Sequence, residues 1–192
     1  MENLLDEVRK CTHCAEYLPL GPRPVLRAHP ESKIIVIGQA PGTAVHASGI
    51  PWDDPSGDNL RKWMNISTED FYDERKLAII PMGFCYPGRG KSGDLPPRKE
   101  CAPKWHADLF AALPQVQLIL LIGQYAQKYY LPKAQRKRTL TDTVRHFQDY
   151  LPRYFVLPHP SPRNNIWQAK NPWFKDEVVP SMEEWVHGVL GN

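Results

Sequence analysis

The chain has 192 residues, four cysteines and a formal net charge of +3. That length buries a proper core without covalent staples, so the cysteines are not expected to be disulfides compensating for a small core. No apolar run of about 18 residues offers a membrane span, and the N-terminus resembles neither a signal peptide nor an organelle-targeting segment. A soluble, monomeric protein of the cytoplasm is expected, where thiols stay reduced and can ligate metal.

In chain order, residues 2–10 have helical spacing and run into Cys11-Thr-His-Cys14. Ile34-Ile-Val-Ile37 is apolar throughout, which reads as a buried parallel strand. Gly38-Gln-Ala-Pro-Gly42 breaks it sharply. A helix is predicted over 58–64, a second strand over Leu77–Ile80 and a helix over 98–112. Gly88–Pro97 between them reads as a mobile loop. Leu118–Ile122 is a third strand, with a helix opening at Gly123, and Tyr154–Leu157 is a fourth. A last helix is predicted over roughly 172–189. Strands alternating with helices imply a single α/β domain over 1–192. It would be a three-layer α/β/α sandwich around a central four-stranded, mostly parallel sheet.

In such sheets ligands bind beyond the carboxyl ends of the strands. Gly38–Gly42 follows the first strand, and His159-Pro-Ser-Pro162 follows the fourth. The cysteines form a second constellation: Cys11 and Cys14, then Cys85, then Cys101. Four thiolates suit either a tetrahedral zinc or a cubane iron–sulfur cluster. Two basic stretches stand out: Lys133, Arg136, Lys137, Arg138 and Arg145, and Arg89, Lys91, Arg98 and Lys99. Such stretches either neutralise phosphates or form an ordinary solvated face.

Together these segments resemble the uracil-DNA glycosylase superfamily. Ile34 to Gly42 resembles its first motif, a strand followed by Gly-x-Ala-Pro-Gly. Gly49-Ile-Pro-Trp-Asp-Asp-Pro-Ser-Gly-Asp-Asn-Leu60 resembles the stretch carrying a base-stacking aromatic, and His159-Pro-Ser161 the second motif. The cysteine order is similar to the iron–sulfur families 4 and 5. Uracil-specific members place a base-reading Asn shortly before the third cysteine, where this chain has Pro81 or Met82. Gln39 stands where family 4 has Glu. The chain is therefore closer to family 5, or to a divergent branch.

The resemblance implies a monofunctional DNA glycosylase acting on DNA that contains a damaged or modified base. Asp54, with Asp53 its close rival, would stabilise the cationic sugar and position water. His159 would donate to the departing base, helped by backbone N–H groups near Gln39 and Ala40. Trp52 would offer the flat platform that a flipped base needs. Gly38, Pro81, Met82 and Asn164 would complete the base site; Ser161, Arg163, Arg89 and Lys91 would meet DNA. Arg163 occupies the place where family 1 carries a wedging Leu. Cys11, Cys14, Cys85 and Cys101 would hold a [4Fe–4S] cluster, with zinc the alternative. Blander roles exist: Asp54 shaping a turn before a helix, His159 a structural loop residue, Trp52 core packing. Without the Asn, the base stays open among uracil, hypoxanthine and a bulky modified cytosine, as in phage DNA and hence phage defence. Two rival readings are a strict uracil enzyme and an inactive, cluster-bearing DNA-binding protein.

Overall fold

A computed structural model describes residues 1–191; residue 192, the last of the expected domain, lies outside the described residues. The first half of the chain contains α1 (Glu2–Arg9), β1 (Ile34–Ile37), α2 (Thr43–Ser48), α3 (Pro55–Met64), α4 (Thr68–Tyr72) and β2 (Leu77–Ile79). Next come β3 (Arg89–Gly90), β4 (Gly93–Asp94), α5 (Cys101–Ala111), β5 (Leu118–Ile122) and α6 (Gly123–Tyr130). The last part holds α7 (Leu140–Arg145), β6 (Tyr154–Leu157), α8 (Asn165–Lys170) and α9 (Val179–Leu190). Among the described residues, no helix is long and apolar enough to cross a membrane.

Four strands form one sheet in the order β2-β1-β5-β6, and every pairing in it is parallel. The apolar runs explain this arrangement. All residues of β1, β2 and β5 are buried, as parallel strands covered on both faces must be. Parallel strands put their carboxyl ends on one side, so the loops after β1, β2, β5 and β6 share an edge. Two backbone bonds carry the pairing of β1 and β2 into those loops. Met82 N–H donates to Gly38 O at 3.0 Å, and Gly83 N–H donates to Gln39 O at 2.9 Å. Trp63 of α3 meets Phe174 edge-on at 4.8 Å beneath α9, closing the core on that side.

Several expectations are corrected. The helix predicted over 98–112 begins at Cys101, after the Pro96-Pro97 stretch. The helix predicted over 172–189 opens with a wide π turn, Phe174–Val178, and becomes α-helical only at Val179. Pro180 has no N–H to continue an α ladder backwards, which accounts for the wider turn. Helices α2, α4, α7 and α8 are too short to show a periodic pattern. The loop read as mobile contains a small antiparallel hairpin, β3–β4, closed by Leu95 N–H donating to Gly88 O at 2.8 Å.

Candidate active site

Trp52 is the keystone of the pocket at the shared edge. Its φ of 59° is left-handed, a conformation that bulky residues seldom adopt. Two glycines admit it. A Cβ on Gly57 would lie 1.8 Å from the Trp52 carbonyl oxygen, and one on Gly38 would lie 2.7 Å from its indole. The neighbouring carbonyls are tethered as well: Tyr72 donates to Pro51 O at 3.0 Å and Arg61 to Trp52 O at 3.4 Å. The indole therefore lies over Gly38, and its ring centroid is 5.7 Å from that of His159.

Asp54 and His159 face the same pocket, with Gly38, Gln39, Ala40, Trp52 and Pro81 also in its wall. Asp53 does not line it; it is exposed, one residue away. Asp54 also has a structural task. It caps α3, with Oδ1 accepting from Gly57 N–H at 2.8 Å, so the bland reading is correct for that oxygen. The cap also fixes where the carboxylate points. Asn59 on the same helix donates to Pro160 O at 2.9 Å, which ties the His-Pro-Ser loop to α3. Asn164 reaches back to donate to His159 O at 2.6 Å.

Burial pushes His159 below the usual histidine range, while the carboxylates of Asp54 and Asp94 pull it partway back. Desolvation disfavours the imidazolium, so the ring presents one N–H as a neutral donor at neutral pH. Asp94 escaped the sequence reading because it sits in the segment taken for a mobile loop. The hairpin brings it to the rim, within 3.4 Å of where a Cβ on Gly42 would be.

The remaining predicted residues fall into groups. The Gln39 amide turns toward the hairpin, donating to Leu95 O at 3.2 Å. Pro81 forms part of the wall, and its carbonyl accepts from buried His106 Nε2 at 3.0 Å. Met82 is buried and lines a different hollow beside α6. Asn164 is absent from the pocket wall and braces it from behind. Ser161 caps the turn after His159, accepting from Arg163 N–H at 3.3 Å. The Arg163 guanidinium approaches Gly93 of the hairpin, and Arg89 and Lys91 are exposed on that hairpin. Ile166, which the sequence reading missed, is 71% exposed on α8 just beyond the motif. An isoleucine within a polar stretch was the available signal.

The four cysteines converge on a separate corner. Cys14 and Cys85 pack with Leu18 in a small apolar cluster of their own, and Cys101 is the first residue of α5. All four are free thiols. Burial pushes the Cys85 thiol up to about 12, and the charges of Cys101, Cys11 and Cys14 add to the shift. Burial likewise raises Cys101 to about 11. Four thiols near enough to oppose one another's ionisation fit a group bound through four thiolates. Among the described residues, no three of His, Cys, Asp or Glu are grouped as a single metal ion requires. Arg98 leaves the rim for this corner, stacking over Tyr17 at 4.3 Å and pairing with Glu100 at 2.7 Å.

The family model described as the uracil DNA glycosylase superfamily matches residues 27–183. The match contains the whole pocket together with Cys85 and Cys101; Cys11 and Cys14 precede it. A solution structure from Methanosarcina acetivorans, provisionally titled a uracil DNA glycosylase, is similar at 13% identity with a TM-score of 0.48. The alignment covers 85% of this chain and 99% of that one.

Proposed function

Because this chain belongs to the uracil DNA glycosylase superfamily, we propose that it cleaves a damaged or modified base from DNA and leaves an abasic site. The observation that carries this reading is the meeting of Asp54 and His159 on one pocket over Trp52. Breaking the N-glycosidic bond leaves positive charge on the sugar and negative charge on the base. The Asp54 carboxylate, aimed by its cap, stabilises the first and orients the water that forms the new bond to the sugar. His159 donates its N–H to the second. The Trp52 and His159 rings are 5.7 Å apart. A base between them would need roughly 7 Å, two van der Waals contacts of about 3.5 Å. The base therefore stacks on one ring and meets the edge of the other.

Pro81 supplies an apolar wall where a uracil reader would supply an amide, and its carbonyl is already engaged by His106. That supports recognition by shape and admits bases other than uracil. The four thiolates would hold a [4Fe–4S] cluster that anchors the N-terminal segment and α5; it takes no part in the cleavage.

The test is a panel of duplexes carrying uracil, hypoxanthine or modified cytosines, treated with the protein and then with alkali. At least one base should be released. Asp54→Ala and His159→Ala should each slow release by at least about a hundredfold with DNA binding retained, whereas Asp53→Ala should be mild. Release unaffected by either of the first two changes would refute the mechanism.

A further inference from the structure

The base pocket adjoins other hollows. Gln39 and His159 also border a second hollow, whose far side is formed by Gln124, Tyr125, Leu140 and Trp167. Gln124 and Leu140 in turn border a third hollow, lined by Lys128, Lys133, Arg136, Lys137 and Arg138. The three hollows adjoin one another through these shared side chains, in the order base pocket, aromatic hollow, cationic cleft beside α6 and α7.

The charges of that cleft are largely uncompensated. Among the described residues, its one ion pair is Lys137 with Asp149 at 2.6 Å. Arg136 Nε is shut away from solvent and has no hydrogen-bond partner among the described residues. Arg145, which the sequence groups with these residues, lies elsewhere, over the Trp173 ring at 5.0 Å. In the middle stretch, the Trp167 indole N–H donates to Thr141 Oγ1 at 2.9 Å, which sets the ring's orientation.

Aromatic faces followed by cations are what a single nucleic-acid strand requires: stacking for its bases and charge for its phosphates. We propose that this series of hollows carries the substrate strand on one side of the flipped nucleotide, seating a backbone phosphate against Arg136, Lys133 and Arg138. The proposal rests on the glycosylase reading, since adjacency to the base pocket identifies the anion as part of the same strand.

The test uses labelled single-stranded oligonucleotides with one tetrahydrofuran abasic-site analogue, lengthened stepwise on its 5′ or its 3′ side. Binding is followed by fluorescence anisotropy. Lengthening on one side alone should raise affinity about tenfold once the phosphate reaches the cleft, as for one charge-assisted contact. The combined change Lys133→Ala, Arg136→Ala and Arg138→Ala should abolish that increment and leave the shortest oligonucleotide bound as before. Arg136→Gln alone should remove part of it, which guards against misfolding of the triple variant. The salt dependence of the longer strand should flatten by about 0.7 in log–log slope for each lost phosphate contact. Inorganic phosphate should compete with the long oligonucleotide only.

Equal gains on both sides, or a gain that survives the triple change, would overturn this path while leaving excision intact. Inorganic phosphate that binds without displacing DNA would overturn it too. Side-specific, variant-sensitive binding without release of any base in the panel would instead uphold the strand path and sink the excision reading.

Discussion

The floor of the candidate pocket and the cysteine corner are joined by α5, and they are held by different means. The floor is fixed by shape. Trp52 keeps its left-handed backbone because Gly57 and Gly38 leave it room, and because Tyr72, Arg61 and the Asp54 cap tether the residues around it. Nothing further is required to complete it. The corner is defined by composition: four thiols, of which Cys14 and Cys85 share a small apolar cluster with Leu18 while Cys101 rests against the edge of the main core. Its own packing is slight, so in the proposed reading a group held by the thiols would supply its stability. A site preorganised by backbone sterics breaks when a methyl group is added. A site organised by ligand atoms breaks when one donor is lost.

The largest expected effect tests the first half of that contrast. Gly57→Ala drives a Cβ into the Trp52 carbonyl, which is backbone and cannot swing aside. A loss of more than about 5 kcal/mol is expected, at the far end of single-substitution effects. Soluble yield and Tm would show it. Gly38→Ala meets only the indole, a side chain that can turn. It should lose about 1–3 kcal/mol, in the range of an overpacked site. If Gly57→Ala proved as mild as Gly38→Ala, the floor would not be sterically locked.

Cys85→Ser tests the other half. The bound group would cross-link Cys14 to Cys85, closing a loop of about 70 residues, and such closures contribute roughly 4 kcal/mol. At about 2–4 °C per kcal/mol, Tm should fall by roughly 10 °C. The loss should be local. Hydrogen exchange should quicken over residues 11–25 and 86–101, while the four strands stay protected, because of the corner only Cys101 touches their core. Iron should disappear with the cysteine; stoichiometric zinc in the wild type would replace the cluster by the other four-thiolate solution.

The same contrast explains what was legible in the sequence. The strands are apolar from end to end, and the first and fourth carry a motif at their carboxyl ends, so the sheet and the meeting of Gly38–Gly42 with His159 could be foreseen. The cysteines announce themselves by type. Steric requirements leave no such mark: in the sequence Gly57 is only a glycine just ahead of the helix predicted over 58–64, until Trp52 is seen beside it. The choice between Asp53 and Asp54 depends on which is the cap, a matter of one residue that pattern cannot decide. Asp94 was hidden because a hairpin of two-residue strands is too short to carry alternation. The basic cleft was visible as composition, but its place in line with the pocket exists only once α6 and α7 are folded.

The smallest of the three effects concerns α5, which joins the two regions: Cys101 opens it, and His106 one turn on braces Pro81. The His106 ring is stacked against Phe110 and Tyr130, and its Nδ1 meets the Tyr130 hydroxyl. Donation from Nε2 to Pro81 O requires the Nε2–H tautomer, with Nδ1 as acceptor. Burial pushes its pKa down to about 4, against an ordinary 6.5. Between those two values the unfolded chain takes up the proton and the folded chain does not. Stability must therefore be fully present above about pH 6.5 and decline as pH falls toward 4. A shift of this size corresponds to about 3 kcal/mol. His159, also lowered, tilts stability the same way, so the wild-type curve alone does not isolate His106. His106→Gln keeps a donor for Pro81 O and has nothing to titrate. The difference in unfolding free energy between wild type and His106→Gln should shrink steadily from pH 6.5 to 4 in urea titrations. Parallel curves across that window would mean that the ring between pocket and corner is already solvated, and that α5 does not hold Pro81 through a neutral imidazole.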